Sequence, residues 1–356
     1  MFSLSLLELR ELQAIFTPVA KLKTRSSTPT VLTISETGNE IRFSCLVGTS
    51  ICSHISTKVI TACEHQVSAV PLEKFLEVIR TSNDDGMDIS LLDDKLQVDI
   101  YSLSTVPPEN IPETVYDYVG DYYLADLLSY VERVKYATSD DVARPNLNAT
   151  YFLGNKVVAC DGPRYHHVML PFVLEDWSIP NSIYPLLSKY SKLFAESTSV
   201  ISQSAGFVEY RNGMTQITFP RWIFKLPDFD KLIVVEAKKY NHHLMTCFVD
   251  EAIAALKKVA LTSDKERPLV LVEVEATKMT FSASDNLGNS SKESISCTWT
   301  GALRPLSFPL KKFRRLVKAS SSDKITLRFG PDVKSVKSPA VLWDDNQFAV
   351  LQQAGK

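Results

Sequence analysis

Five places in this 356-residue chain bring together side chains able to do chemistry. Two are histidine pairs, His166-His167 and His242-His243, and imidazole is a common metal ligand. Neighbouring residues in a strand point to opposite faces, and no carboxylate stands at helical ligand spacing from either pair, so neither pattern builds a metal site. Asp161 beside Gly162 offers a carboxylate, but no nucleophile or base motif accompanies it, and Asp-Gly is a turn pair. Gly288 with Ser290-Ser291 lacks the G-x-x-x-x-G-K-[ST] pattern that cradles a nucleotide, in a chain with only 12 glycines. A nuclease would need carboxylates grouped around a metal, and none has a helpful spacing. The fifth place is Lys311, Lys312, Arg314, Arg315 and Lys318, and its chemistry is the binding of anions. The expectation is a binding protein, with no cofactor, no metal and no active site of its own.

A helix must position those cations. Leu310, Phe313, Leu316 and Val317 make an apolar stripe, while Lys311, Arg314, Arg315 and Lys318 fall at i, i+3, i+4 and i+7 on the opposite face, with Lys312 beside them. Like charges stacked this way repel unless an anion lies opposite, and phosphate backbone is held by Lys and Arg without any reading of sequence. For a single helix, a solvated face is the alternative. Six stretches read as helical: 4–25, 71–82, 121–139, 181–197, 249–267 and 309–318. Together they carry +7, which leaves −9 on the remainder of a chain whose net charge is −2. Cationic helices facing DNA, with strands and loops forming an acidic exterior, would account for that segregation.

The helices belong to a repeat. Pro71, Pro180 and Pro309 each follow an apolar residue and open a helical pattern, where a missing N–H costs nothing. Pro29, Pro145 and Pro268 alternate with them, each ending a helical stretch and preceding a strand. Each set recurs after about 110–130 residues, an ordinary domain length. Every unit reads helix, strands, helix, strands. Leu124, Leu127, Leu128, Val131 and Val134 show helical spacing, whereas Leu96-Gln97-Val98-Asp99-Ile100 and Ile325-Thr326-Leu327-Arg328-Phe329 alternate as strands do. Gly38-Asn39, Gly154-Asn155 and Asn212-Gly213 read as hairpin turns. The class is α+β, two helices against antiparallel sheet in each unit.

With 45% hydrophobic and 22% charged residues, the composition is that of a globular protein. No apolar run reaches the roughly 18–20 residues of a membrane span, and the start lacks the basic flank of a secretory signal. The six cysteines form no C-x-x-C pair, which fits reduced, buried thiols and a cytoplasmic location.

Several stretches resemble the bacterial sliding clamp, the β subunit of DNA polymerase III. Ala159-Cys160-Asp161-Gly162-Pro163-Arg164-Tyr165 is similar to that family's A-T-D-G-H-R-L segment, Tyr101-Ser102-Leu103-Ser104-Thr105-Val106-Pro107 to F-S-L-S-T-L-P, and Leu226-Pro227-Asp228-Phe229 to F-P-D-Y. The similarity runs over essentially the whole chain. It implies three clamp domains, 1–114, 115–238 and 239–356, forming an arc that closes into a ring as a head-to-tail homodimer around duplex DNA. The implied partners are that DNA, bound without sequence preference, the replicative polymerase and a clamp loader. Arg25 and Arg144, in loops before Pro29 and Pro145, join Lys311, Arg314, Arg315 and Lys318 as implied DNA-facing residues. The family's partner-peptide pocket maps onto Leu147, Cys160, Gly162, Pro163, Arg164, Tyr165, Pro227, Lys231, Leu232, Ala349 and Leu351. Its dimer contact maps onto Tyr101 and Leu103 of one copy facing Ala260 and Leu261 of the other; burial within one copy is the alternative for these residues. The chain departs from the family's pattern at the pocket. Pro163 stands for a usual His, Lys231 for a usual Arg and Gln353 for a usual apolar residue, departures that a divergent phage or mobile-element member would carry. A clamp-like peptide-binding module that stays monomeric is the other binding-protein reading, and a DNA-acting nuclease the enzymatic one.

Overall fold

The structure is a computed structural model that describes residues 2–22, 30–37, 40–47, 50–57, 66–81, 86–91, 94–108, 116–141, 143–162, 164–221, 243–275, 277–300, 305–320, 322–329, 339–344 and 347–351. Contacts gather the chain into two compact units, one of residues 1–128 and 179–222, the other of residues 129–178 and 223–356.

In the first unit, β1 (Phe2–Leu4) leads into α1 (Leu6–Ala20). Ser5 caps this helix with a reciprocal box: its hydroxyl accepts the Glu8 amide, and the Glu8 carboxylate accepts the Ser5 amide at 2.8 Å. Leu9, Leu12, Ile15, Phe16 and Val19 recur at helical spacing and are buried. Strands β2 (Val31–Thr37), β3 (Glu40–Val47), β4 (Ser50–Thr57) and β5 (Gln66–Pro71) follow, then α2 (Leu72–Ile79) and β6 (Met87–Leu91), β7 (Lys95–Val98) and β8 (Tyr101–Ser104). After β9 (Asp117–Tyr122), α3 (Leu124–Val134) begins here and runs into the second unit. The first unit ends with α4 (Tyr184–Leu193), β12 (Ser199–Gln203), β13 (Phe207–Asn212) and β14 (Thr215–Pro220).

Its strands make a four-stranded sheet, β1-β6-β7-β8, and an eight-stranded one, β5-β2-β3-β4-β14-β13-β12-β9. The second is continuous because β4 pairs with β14, placing His54 opposite Thr215 and Cys52 opposite Ile217. Beneath that seam the Tyr190 hydroxyl of α4 donates to the Ile15 carbonyl of α1 at 2.5 Å, while the Cys52 sulfur lies 3.2 Å from it. Burial pushes the Cys52 thiol up to about 12, so it stays protonated and can donate to the phenol oxygen. Tyr190→Phe removes the hydroxyl from the buried Cys52 thiol and leaves the Ile15 carbonyl only its place in the helix. The expected cost is about 1–3 kcal/mol in urea unfolding, with the loss confined to this unit in hydrogen exchange.

The second unit holds the remainder of α3, one 3-10 turn at Lys135–Ala137 and another at Pro145–Leu147, then β10 (Ala149–Cys160) and β11 (Arg164–Pro180) as far as Ser178. It continues with β15 (His243–Phe248), α5 (Val249–Val259), β16 (Leu269–Glu275), β17 (Lys278–Ser284), β18 (Ser290–Ser296), β19 (Thr298–Thr300), β20 (Leu306–Pro309), α6 (Leu310–Lys318), β21 (Lys324–Phe329), β22 (Ala340–Asp344) and β23 (Gln347–Leu351). A seven-stranded sheet runs β10-β11-β23-β22-β21-β15-β19, and a four-stranded one β18-β17-β16-β20.

The interleaved prolines now have a physical reason. Val31 faces Pro71 across β2 and β5, and Leu269 faces Pro309 across β16 and β20. The first amide of each following helix is satisfied at the same junction, Leu72 by the Thr30 carbonyl and Leu310 by the Pro268 carbonyl, both at 2.9 Å. Pro309 ends a strand and opens a helix while Pro268 precedes the strand beside it, so those two landmarks meet in space; Pro29 lies outside the described residues. All six stretches read as helical contain a helix in the described residues. The hairpin readings fare unevenly. Gly213 with Met214 forms the turn between β13 and β14, one residue on from the expected pair because Asn212 ends β13 opposite Thr215; Gly38-Asn39 lies outside the described residues, and Gly154-Asn155 falls inside β10 rather than between two strands. Gly154 sits there at φ 59, a conformation that strains any residue with a Cβ.

Candidate nucleic-acid interface and partner pocket

Helix α6 buries Leu310, Phe313, Leu316 and Val317. Phe313 stacks on Phe308 at 4.9 Å between ring centroids and meets Phe281 edge-on at 6.3 Å, which fixes the rotation of the helix. That rotation leaves Lys311, Arg315 and Lys318 exposed and Arg314 half-buried. None of the four forms an ion pair with a described residue. Arg315 and Lys318 lie in the last turn, where the helix dipole favours cations.

Lys312 differs from its neighbours. It is half-buried on the flank away from Arg314, in the field of Arg164, Asp161 and Asp140. Burial and then the Arg164 charge hold its pKa below the ordinary lysine value, against the pull of the two aspartates. Arg144 is exposed in the turn before Pro145, 3.5 Å from the Asp141 carboxylate, and Arg25 lies outside the described residues.

The turn between β10 and β11 is built around Arg164. Its backbone amide donates to Asp161 Oδ1 at 2.9 Å, and its Nε donates to Asp161 Oδ2 at 2.6 Å, with Nη2 also on that oxygen. The guanidinium reaches further, Nη1 to the Tyr136 carbonyl and Nη2 to the Thr138 carbonyl at 3.2 Å. Both side chains of the pair are nearly closed off, 9% exposed for Arg164 and 10% for Asp161. Arg164 therefore ties the turn to the end of α3, with its donors directed inward. Gly162, at φ 97, completes the turn, and its amide donates to the Cys160 sulfur at 3.3 Å. Burial pushes the Cys160 thiol up.

From the start of β11 the side chains alternate. Tyr165 and His167 share a hydrogen bond of 2.9 Å and lie against Phe348, whereas His166 is fully buried against Tyr136. The adjacent histidines thus take opposite faces, and the β11–β23 register sets Arg164 opposite Leu351 and His166 opposite Ala349. Of the predicted pocket residues, the structure brings Cys160, Gly162, Arg164, Tyr165, Ala349 and Leu351 together along this β10–β11–β23 seam. Leu147 is half-buried in the turn after Pro145, where its carbonyl accepts the Ser139 amide at 2.8 Å. Pro163, Pro227, Lys231 and Leu232 lie outside the described residues. A cavity of about 500 Å³ opens elsewhere, over Leu269 and Leu271 with Glu266 and Arg267 among its polar walls, and no predicted site residue lines it.

The remaining predicted residues lie at sheet edges. Tyr101 and Leu103 are on β8, the outer strand of its sheet, with Tyr101 36% exposed and Ile100 before it 86% exposed. In the second unit Ala260 is half-buried and Leu261 is 87% exposed, beside β18, another outer strand. Lys258 of α5 pairs with Glu293 of β18 at 2.6 Å beside them. The sequence reading missed the inward role of Arg164, the separate position of Lys312 and the exposed Ile100. Only the last left a signal, an apolar residue beside the tight turn at Asp99.

No protein-family model and no curated protein sequence matches the chain. Solved structures do. A putative DNA polymerase III beta subunit from Eubacterium rectale matches with a TM-score of 0.85 at 14% identity, covering 99% of each chain. The DNA polymerase III subunit beta from Pseudomonas aeruginosa gives 0.83 at 15% identity, again over 99% of each chain. The corresponding subunit from Thermotoga maritima gives 0.80 at 15%, with the same coverage. Over its whole length, the chain has the fold of the DNA polymerase III beta subunit, the DNA sliding clamp.

Proposed function

We propose that this chain is a DNA sliding clamp: a processivity factor that encircles duplex DNA as a head-to-tail homodimer, tethers the replicative polymerase and has no active site of its own. The observation that carries the reading is α6, whose apolar face is fixed in the core while Lys311, Arg314, Arg315 and Lys318 have no ion-pair partner among the described residues. Such cations hold phosphate by charge alone, and a closed ring lets each contact stay weak enough to slide. Arg144, and Arg25 by its place in the sequence, would add to that lining. The full-length likeness to beta-subunit structures supports the domain division 1–114, 115–238 and 239–356, with a loader to open the ring. The β10–β11–β23 seam, from Cys160 to Tyr165 with Ala349 and Leu351, is the site we assign to partner peptides; Leu147 and, by sequence, Pro163, Pro227, Lys231 and Leu232 would complete it.

Ring closure needs an edge-to-edge contact between copies. An open apolar strand edge is a liability unless paired, and β8 with Tyr101 and Leu103 is such an edge. Its partner would be the β18 side of a second copy, with Ala260 and Leu261. Sedimentation equilibrium tests this directly. A mass near twice 39.8 kDa is expected for the native chain, and Tyr101→Asp combined with Leu261→Asp should return it to the single-chain value. A native mass of one chain at micromolar concentration would favour the monomeric peptide-binding module instead.

A further inference from the structure

Between Lys95 and Arg133 the chain has no lysine or arginine, yet it carries seven carboxylates and six tyrosines. Strand β9 lies in the middle of this stretch, and the clamp reading gives it no task. Among the described strands β9 has one neighbour, β12, so its other side is a sheet edge. Asp117 and Asp121 are exposed on it, Tyr118 is 64% exposed, and Tyr123 at its end is exposed too.

The side chains of this edge are ordered. Tyr118 is hydrogen-bonded to the Asp121 carboxylate. The Tyr122 ring lies so close over Gly120 that a Cβ there would come within 2.6 Å of it. Glycine at 120 is what lets the ring lie down as a platform. The register with β12 shifts between Ile201 and Ser202, leaving Val119 as an extra residue in β9.

The same place in the fold accepts a strand elsewhere. Strand β15 leads into α5 as β9 leads into α3, and β15 is paired on both sides, by β21 and by the three-residue β19, with Met245 opposite Trp299. Lysine commonly guards exposed edges, and here carboxylates and phenols stand in its place. Their charge repels nucleic acid and a second acidic copy of the same edge. It attracts a cationic segment, whose Arg or Lys can also lie on tyrosine faces.

We propose that the open side of β9 is a docking edge for an extended, cationic segment of another protein, paired along Gly120–Tyr122 with its basic side chains on Asp117, Asp121 and the tyrosines. The proposal stands on the strand itself and does not require the clamp reading. The probe is the hexapeptide Thr-Arg-Thr-Arg-Thr-Arg, with Thr-Glu-Thr-Glu-Thr-Glu as its counterpart, each titrated against the full chain. Binding of the arginine peptide should raise the protection of the Gly120, Asp121 and Tyr122 amides against hydrogen exchange. It should weaken at least tenfold in Asp117→Asn with Asp121→Asn, a variant expected to keep its thermal midpoint, and the glutamate peptide should not bind. The proposal is overturned if the arginine peptide fails to bind, binds the variant equally well, or leaves β9 unprotected. Protection of β9 by duplex DNA, or by self-association of the chain, would overturn it equally.

Discussion

Arg164→Ala is expected to destabilise the second unit by about 3–5 kcal/mol, the range for breaking a buried, hydrogen-bonded ion pair by removing one partner. The loss has three parts. Asp161 keeps a charge in a site only a tenth open to water, and the carbonyls of Tyr136 and Thr138 lose their donors. Removing both charges in a double variant, Asp161→Asn with Arg164→Met, should cost less than the single change, because no uncompensated ion is left behind. Urea unfolding with hydrogen exchange on each unit checks both statements. Equal costs for the single and double variants would show that the packing of Arg164, and not its pairing with Asp161, fixes the turn.

Acid should weaken the same seam through His166. Burial, with the charges of Arg133 and His167 adding to it, lowers its pKa from 6.5 to about 3, against the opposing pull of the Gln347 side chain as an acceptor. The unfolded chain then takes up a proton below pH 6.5 that the folded chain refuses. This contribution to stability is therefore complete above about pH 6.5, is lost progressively as the pH falls toward 3, and changes no further below that. The full loss is about 5 kcal/mol, at roughly 1.4 kcal/mol for each unit of pKa difference. His54, buried at the β4–β14 seam of the first unit, is shifted in the same direction by burial, against Glu11 and Glu8. Urea midpoints of the native chain and of His166→Leu, compared at pH 7.5, 5.5 and 4.0, isolate the effect. The native chain should lose stability relative to the variant as the pH falls, because leucine cannot take up a proton in either state.

What could be read from the residues was local. The apolar stripe and the cations of α6 lie within ten residues, and a helical period of 3.6 is enough to sort them onto opposite faces. The prolines that mark the repeat act on their own backbone, so their positions survive into the fold, where Val31 meets Pro71 and Leu269 meets Pro309. The two seams were not legible. Joining β4 to β14 and β11 to β23 pairs residues more than 150 positions apart, and neither edge advertises its partner in its own sequence. Direction was hidden for the same reason. Arg164 and Lys312 read as cations available to a ligand, but one turns its donors to Asp161 and two carbonyls, and the other sits half-buried beside that pair. A charged residue type states what a side chain can bind; only the neighbours that long-range pairing brings decide whether it is free to do so.

The most direct test of the clamp reading is topological. The chain is loaded onto nicked circular DNA with its loader, isolated on the circles at moderate salt, and the DNA is then cut once with a restriction enzyme. A ring threaded by duplex is predicted to stay on the circles and to run off the ends after the cut, with Arg314→Glu and Arg315→Glu weakening loading while leaving that pattern intact. Retention that is the same before and after linearisation, and that falls steeply with salt on both forms, would mean binding along the surface of DNA and would contradict the account.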